Sequence, residues 1–269
     1  MCELFGMSAR FPTDVGRSLA VLRPRGGDIG PHSDGWGVAF YDGRAARVFK
    51  EPAPAAESDC LAFISDRGFQ SRTVVGHIRR ANPPTFGRSS ANTHPFEREL
   101  GGRSWVFAHN GKLEGLRDDP AFIPRRFRPI GETDSELAFC LLLDAIAERG
   151  ADTEASRWDV VEAIGSLIQD LSDFGEFNFL LSDGERLFVH AHTRLYALHR
   201  ICLKDGCQQE VVLLATAPLT DEIWAPLTGL HVFADGRALI GSASLPPNEA
   251  PREGHGLEDG IYVADLPRS

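Results

Sequence analysis

Apolar residues in this chain cluster in short runs separated by turn residues, and only in the middle of the sequence do they lengthen into helical periods. The run from Cys2 to Ser8 predicts a buried strand, and Pro12-Thr13-Asp14 then supplies the start of a helix reaching about Leu22. The glycine-rich stretch from Arg25 to Gly37 reads as a loop. Trp36–Tyr41 and Ala46–Lys50, joined by Asp42-Gly43, predict a hairpin, and a short helix follows around Ser58 to Ser65. Thr73–Ile78 and Ser104–Ala108 predict strands separated by a loop rich in Pro, Gly, Ser and Asn from Asn82 to Asn92. Both end at polar residues, the first at Gly76-His77-Ile78-Arg79 and the second at His109-Asn110-Gly111.

Thr133-Asp134-Ser135-Glu136 has capping-box spacing. Thr133 is placed to accept from first-turn amides and Glu136 to reach back, ahead of an apolar helix from Leu137 to about Ala147. A second helix is expected over Arg157–Leu171. Strands resume at Asn178–Leu181 and Leu187–Ala191 around Asp183-Gly184, then at Tyr196–Ile201, Val211–Ala215 and His231–Phe233. Strands grouped in hairpins on either side of a helical pair predict an α+β fold, with two mostly antiparallel sheets packed face to face and helices outside. No linker-like stretch or internal repeat divides the 269 residues, so a single domain over 1–269 is expected. Its tail is irregular after about Gly241, except at Ile261-Tyr262-Val263.

Charge and cysteine usage narrow the function classes. A formal net charge of −10 gives no global attraction to nucleic acid or anionic lipid, and the basic stretch Arg125, Arg126 and Arg128 reads as a solvated loop. Five cysteines (Cys2, Cys60, Cys140, Cys202 and Cys207) with no C-x-x-C spacing argue against a disulfide framework or a zinc knuckle and fit reduced thiols in a cytoplasmic protein. The longest apolar stretch, Leu137–Leu143, is far short of a membrane span. His190 and His192 fall on one strand face as two metal-ligand candidates. No third ligand lies near them, and ordinary sheet-face histidines are the default reading, with no metal and no cofactor expected.

The candidate chemistry begins at Cys2. Removal of Met1, favoured by a small second residue, places a thiol and a free α-amine on one amino acid. An unperturbed thiol has a pKa of about 8.5 and an unperturbed α-amine about 7.7–8.0, so the amine can take the thiol proton near neutral pH. A buried apolar cysteine is the plainer reading of that residue alone. Asn110-Gly111 offers a side-chain and a main-chain donor for an oxyanion, although the same dipeptide in isolation more often marks a turn. Arg79 suits a carboxylate clamp or a surface ion pair. Asp134 suits an ammonium partner or merely a helix N-terminus. Together, a nucleophile, two oxyanion donors, a cation and an anion are what hydrolysis of an amino-acid side-chain amide requires.

Six segments in order, Met1-Cys2-Glu3-Leu4-Phe5-Gly6, Asp34-Gly35-Trp36-Gly37, Gly76-His77-Ile78-Arg79, Asn92-Thr93-His94-Pro95-Phe96, Phe107-Ala108-His109-Asn110-Gly111 and Gly131-Glu132-Thr133-Asp134-Ser135-Glu136, resemble the class II glutamine amidotransferases, most closely their stand-alone YafJ-like members. The resemblance runs from residue 2 to roughly Leu219. It implies the N-terminal-nucleophile hydrolase fold, a four-layer αββα sandwich, and hydrolysis of the glutamine side-chain amide through a γ-glutamyl thioester on Cys2. It further implies Asn110 and Gly111 as the oxyanion hole, Arg79 on the substrate α-carboxylate and Asp134 on its α-amine. Arg25 would organise the loop over Cys2, with His94 and His109 in support. Ammonia would pass to a synthase on another polypeptide or be released. Alternatives are a hydrolase of another γ-glutamyl amide or peptide, as relatives in ergothioneine synthesis and glutathione breakdown are, or a non-catalytic binding subunit if Met1 is retained. The chain departs from the synthase-linked pattern at Arg80, where a tryptophan usually follows the clamp arginine, and continues as Ala81-Asn82-Pro83-Pro84. The nearby backbone or Asn82 would then complete the carboxylate pocket, and a substrate larger than glutamine is left open.

Overall fold

The first strand, β1 (Glu3–Asp14), shows why its sequence is almost continuously apolar: both of its faces are buried. Leu4 and Gly6 face a second sheet, while Phe5 and Met7 pack toward helices on the other side. The computed structural model describes residues 2–81, 87–150, 157–204, 206–241, 245 and 247–249. In chain order the further elements are α1 (Gly16–Leu22), β2 (Gly35–Asp42), β3 (Ala45–Glu51), α2 (Asp59–Arg67), β4 (Gln70–Arg79), β5 (Phe96–Glu99), β6 (Ser104–Leu113), α3 (Asp134–Glu148) and α4 (Arg157–Leu171). They continue with β7 (Gly175–Ser182), β8 (Leu187–Ala191), β9 (Tyr196–Lys204), β10 (Cys207–Ala215), β11 (Ala225–Pro226), β12 (Gly229–Ala234), β13 (Arg237–Ile240) and β14 (Pro247–Glu249).

One sheet runs β11-β9-β10-β1-β4-β2-β3 and the other β13-β12-β8-β7-β6-β5. Pairing is antiparallel throughout except for β14, which lies parallel to β9 opposite His199–Ile201. Three buried layers stack through the molecule. Leu19, Leu22, Leu61 and Ile64 of α1 and α2 meet Phe5, Met7 and Val38. Leu4, Val75, Val106, Leu180 and Leu214 fill the space between the sheets. Phe139, Leu142, Ile146 and Ile164 of α3 and α4 cover Phe107, Phe177 and Phe179. The expected α+β sandwich of two antiparallel sheets between helical layers is therefore what the chain forms. Each of these fully buried side chains contributes about 1.5–3 kcal/mol, and the parallel stack of Phe107 on Phe139, with centroids 5.3 Å apart, fixes how α3 lies on its sheet.

Several boundaries differ from those the sequence predicts, each for a physical reason. β1 continues past Ser8 to Asp14 through a register irregularity, which delays α1 until Gly16. β6 continues through Asn110-Gly111 to Leu113 because those residues pair with Asn178 and Phe177 of β7. The Asn-Gly pair is therefore strand rather than a strand end or a turn. β5 lies within a segment the sequence leaves unassigned. At α3 the Thr133 hydroxyl accepts from the Glu136 amide at 3.2 Å, worth about 1 kcal/mol as a cap. The reciprocal half of the capping box is not made. The Glu136 carboxylate instead accepts from Arg98 and from the Gly131 amide, each at 2.6 Å, inside the protein. The basic loop is held by α3, where Asp144 accepts from the main-chain amides of Arg125, Arg126 and Phe127. Met1, Asn82-Pro83-Pro84 and Ile261-Tyr262-Val263 lie outside the described residues.

Candidate active site

The inner face of the sandwich is apolar at its centre and polar at one end, and strand alternation produces this. Counting by twos along inner-facing positions, Leu4 leads to Cys2 and Val75 to His77 and Arg79. In the same way Ala108 leads to Asn110, Leu180 to Asn178 and Leu214 to Thr216. Register brings these ends together: Glu3 pairs with Ile78, Arg79 with Gly35, Phe5 with Ala215 and Asn110 with Asn178. A row of polar side chains from both sheets therefore converges on Cys2.

The nitrogen of Cys2 donates to Asn110 Oδ1 at 2.9 Å across the two sheets. Its sulfur lies between the main-chain groups of Arg80, accepting from the amide at 3.3 Å and donating to the carbonyl at 3.4 Å. Burial pushes the thiol pKa up; the Arg80 amide and the Arg79 charge pull it down, and Asp134 raises it further. The resting sulfur is thus protonated at neutral pH and needs a base to become a nucleophile.

Asn110 is itself held from two sides. Its Nδ2 donates to Thr216 Oγ1 at 3.3 Å, and its carbonyl accepts from Asn178 Nδ2 at 3.0 Å. Thr216 Oγ1 also accepts from the Leu4 amide at 2.9 Å, and Asn178 Oδ1 accepts from the amides of His192, Thr193 and Arg194. The bond to Thr216 uses one of the two Nδ2 protons of Asn110. At Gly111 no side chain fits, because a Cβ would fall 1.8 Å from the Glu176 carbonyl oxygen on β7. Gly111→Ala is expected to lower stability by about 3 kcal/mol or more, read as an earlier midpoint in urea denaturation. An unchanged midpoint would contradict this packing.

Arg79 is buried, and its guanidinium donates to the Asp34 carbonyl at 3.3 Å. Burial pushes this guanidinium down from its usual pKa, and the charges of Cys2 and Asp34 pull it back. Asp34 also accepts from the Ala81 amide at 2.9 Å and from Arg88 at 3.3 Å, so it ties the segment after Arg79 to the start of β2. Asp134, at the first turn of α3, accepts from the Leu113 amide at 2.6 Å and the Ser135 amide at 2.8 Å, which fixes α3 to the end of β6 close to Gly111. Arg25 reaches Glu3 at 3.4 Å and the carbonyls of Ala217 and Pro218 at 3.3 and 2.7 Å, securing the residue after Cys2 to the segment that follows β10.

His109 and His94 lie behind this row, joined by His77. His109 Nε2 faces the Glu176 carbonyl at 3.0 Å, which assigns its proton there, and Ser135 then donates to Nδ1 at 2.8 Å. His77 Nε2 donates to the His109 carbonyl at 3.1 Å, and its ring lies 4.2 Å from that of His94. Burial drives His77 down to about 3 and His94 well below its usual range, so both are neutral at pH 7. The unfolded chain takes up these protons near pH 6.5 and the native His77 only near 3. Stability therefore falls as pH drops through that window, by about 1.4 kcal/mol per pH unit for His77. Unfolding free energies from urea denaturation between pH 7 and pH 4 should decline at least this steeply, and His77→Gln should reduce the slope; equal slopes in both proteins would contradict the assignment. His190 and His192 stand with ring centroids 6.2 Å apart, and His190 Nδ1 bonds the Phe177 carbonyl at 2.6 Å. Among the described residues no group of three His, Cys, Asp or Glu is placed to hold a metal, and none of the helices is long and apolar enough to cross a membrane. A separate concavity of about 550 Å³, lined by Arg10, Arg72 and Arg237, opens by the far end of β1 and includes none of these residues.

The sequence reading missed Asn178, Thr216, Asp34 and His77 as members of this neighbourhood. The signal was present as a period of two: each belongs to an alternating strand or flanks one, and for Asn178, Thr216 and His77 the inward apolar series ends in that polar residue.

Comparison with known proteins bears on the family and the fold. Residues 1–205 match the family described as glutamine amidotransferases class-II. The putative glutamine amidotransferase YafJ of Escherichia coli is 45% identical over 200 residues, covering 74% of this chain and 76% of the relative. A solved Pseudomonas aeruginosa protein described as a predicted glutamine amidotransferase superposes with a TM-score of 0.64 at 34% identity, covering 89% of this chain and all of that one. The glutamine phosphoribosylpyrophosphate amidotransferase of B. subtilis shares the fold, with a TM-score of 0.62 at 16% identity, covering 88% of this chain and 48% of that one.

Proposed function

The chain belongs to the class II glutamine amidotransferases, and from that premise we propose that Cys2, with Met1 removed, hydrolyses the side-chain amide of glutamine or of a related γ-glutamyl compound. The Cys2 nitrogen, then a free amine, takes the thiol proton while its hydrogen bond to Asn110 orients it. The sulfur attacks the amide carbon, and the oxygen gathers charge against Asn110 Nδ2 and the Gly111 amide. The C–N bond breaks as the amine passes its proton to the departing nitrogen, leaving a γ-glutamyl thioester and ammonia or an amine. Water then attacks the thioester, the sulfur regains a proton and glutamate leaves. Arg79 holds the α-carboxylate and Asp134 the α-ammonium. Every proton in this sequence moves between the substrate, water and Cys2 itself.

The observation that carries this reading is the 2.9 Å bond from the Cys2 nitrogen to Asn110 Oδ1, residues 108 apart in sequence, which holds the proposed base against the side chain proposed to receive the oxyanion. The raised thiol pKa supports it as well, since such a sulfur requires the base that the amine supplies. Ammonia from glutamine either passes to a separate synthase subunit or is released. Arg79→Met should raise KM for glutamine by about 100-fold with a smaller change in kcat, because the loss falls on a buried, charge-assisted contact made in the ground state. The direct test incubates Met1-processed protein with glutamine and follows glutamate and ammonia. Equimolar release supports the reading. No release, together with failure of a glutamine-analogue electrophile to label Cys2, would favour a binding subunit.

A further inference from the structure

One cation beside the nucleophile has no counterpart among the described residues. Of Arg25, Arg79, Arg80 and Arg88, three are accounted for. Arg25 pairs with Glu3 at 3.4 Å and Arg88 with Asp34 at 3.3 Å, while Arg79 awaits the substrate α-carboxylate as Asp134 awaits its α-ammonium. The fourth, Arg80, is exposed, and among the described residues its bonds to Cys2 come from the main chain, with no hydrogen bond or ion pair for its guanidinium. Those main-chain contacts at 3.3 and 3.4 Å set its side chain to spring from directly beside the sulfur. Glutamine is zwitterionic at neutral pH: Arg79 and Asp134 match its two charges and leave Arg80 unmatched. A donor with one more negative charge, carried within reach of Arg80, would complete the balance.

We propose that Arg80 determines specificity for the leaving group, and that the γ-glutamyl donor cleaved here carries a carboxylate on the amine it releases, as a γ-glutamyl amino acid does. The proposal rests on the γ-glutamyl hydrolysis reading above and deepens it. One amino-acid residue spans about 3.3–3.6 Å, so the carboxylate of the released amino acid lies within the reach of an arginine side chain anchored beside Sγ. A guanidinium meets a carboxylate in a planar, two-point contact that a neutral amide does not reproduce. In the reaction the amide C–N bond breaks as the thioester forms. The released amino acid leaves with the proton taken from the thiol, and water then frees glutamate.

The test compares γ-glutamylglycine with γ-glutamylglycinamide, which differ in that one carboxylate, and includes glutamine as the reference. The native Met1-processed protein should favour the acid by about tenfold in kcat/KM. Arg80→Met should bring that ratio close to one, and Arg80→Lys should restore part of it, whatever either change does to the shared rate. A ratio near one in the native protein, or a preference that survives Arg80→Met, would overturn the proposal. Turnover of glutamine with neither dipeptide cleaved would also overturn it while leaving the hydrolysis reading intact. Loss of all three activities, glutamine included, would overturn that underlying reading as well.

Discussion

Cys2→Ala protein is expected to release no measurable glutamate, a loss of about 10⁴-fold or more, while keeping its fold. The side chain is half-buried and its loss removes one sulfur among main-chain neighbours, so the urea midpoint should move by about 1 kcal/mol or less. Separating these two readouts matters, because an inactive and unfolded variant would say nothing of chemistry. Turnover is followed as glutamate release from glutamine, with far-ultraviolet circular dichroism alongside. Retention of even a tenth of native turnover would show that the nucleophile lies elsewhere. Cys2→Ser should be nearly as inactive, since a hydroxyl presented to the same amine is a far weaker nucleophile than a thiol.

Asn110→Ala should lower kcat by about 10²–10³-fold with a smaller effect on KM, the signature of a donor whose bond matters most when charge develops on the substrate oxygen. Two losses combine there. The Nδ2 donor disappears from the oxyanion position, and the Cys2 nitrogen loses the acceptor at 2.9 Å that aims it. Thr216→Val removes the partner of the Asn110 amide and the side-chain acceptor of the Leu4 amide but leaves Nδ2 itself in place, so its effect on kcat should be intermediate. Rapid-quench measurement of the first turnover separates acylation, which should slow, from product release, which should not. A kcat for Asn110→Ala within threefold of native would remove this residue from the oxyanion site.

The layered architecture was readable because hairpins leave local marks. Asp42-Gly43 and Asp183-Gly184 announce turns between runs of apolar residues, and the helix Arg157–Leu171 begins and ends where its period predicts. Long-range pairing was not readable in the same way. Asn110-Gly111 carries the local chemistry of a turn, yet the hydrogen bonds offered by β7 hold it extended; tertiary pairing overrides the dipeptide's preference. Glu136 sits where a capping box wants it, but a half-buried Arg98 offers a stronger, charge-assisted partner. β5 escaped notice because its four residues, Phe96-Glu97-Arg98-Glu99, carry three charges and pair on one side only with β6.

The site was legible in its motif residues and opaque in their supports. Cys2, Arg79, Asn110, Gly111 and Asp134 stand out as residue types suited to amide chemistry, and the fold draws them into one neighbourhood at the open end of the inter-sheet layer. Thr216 bonds the Leu4 amide from 212 positions away, a contact that depends on β10 lying beside β1 in one particular register. The local signal at Thr216 is the end of an inward apolar series, and it does not name the partner. The same holds for Asn178, which gathers three main-chain amides of the segment after β8 on its oxygen while its nitrogen steadies Asn110. Alternation within each strand supplies the general rule. Where inward positions change from apolar to polar at the same end of several neighbouring strands, the sheets are opening onto a site.

The most direct measurement of the central claim is intact-protein mass spectrometry after acid quench of the Met1-processed enzyme during turnover of glutamine. A γ-glutamyl adduct should appear within the first turnover, map to Cys2 by peptide analysis, disappear on treatment with hydroxylamine and be absent from Cys2→Ala. Steady glutamate release with Cys2 unmodified at every quench time, or an adduct on any other residue, would contradict the account.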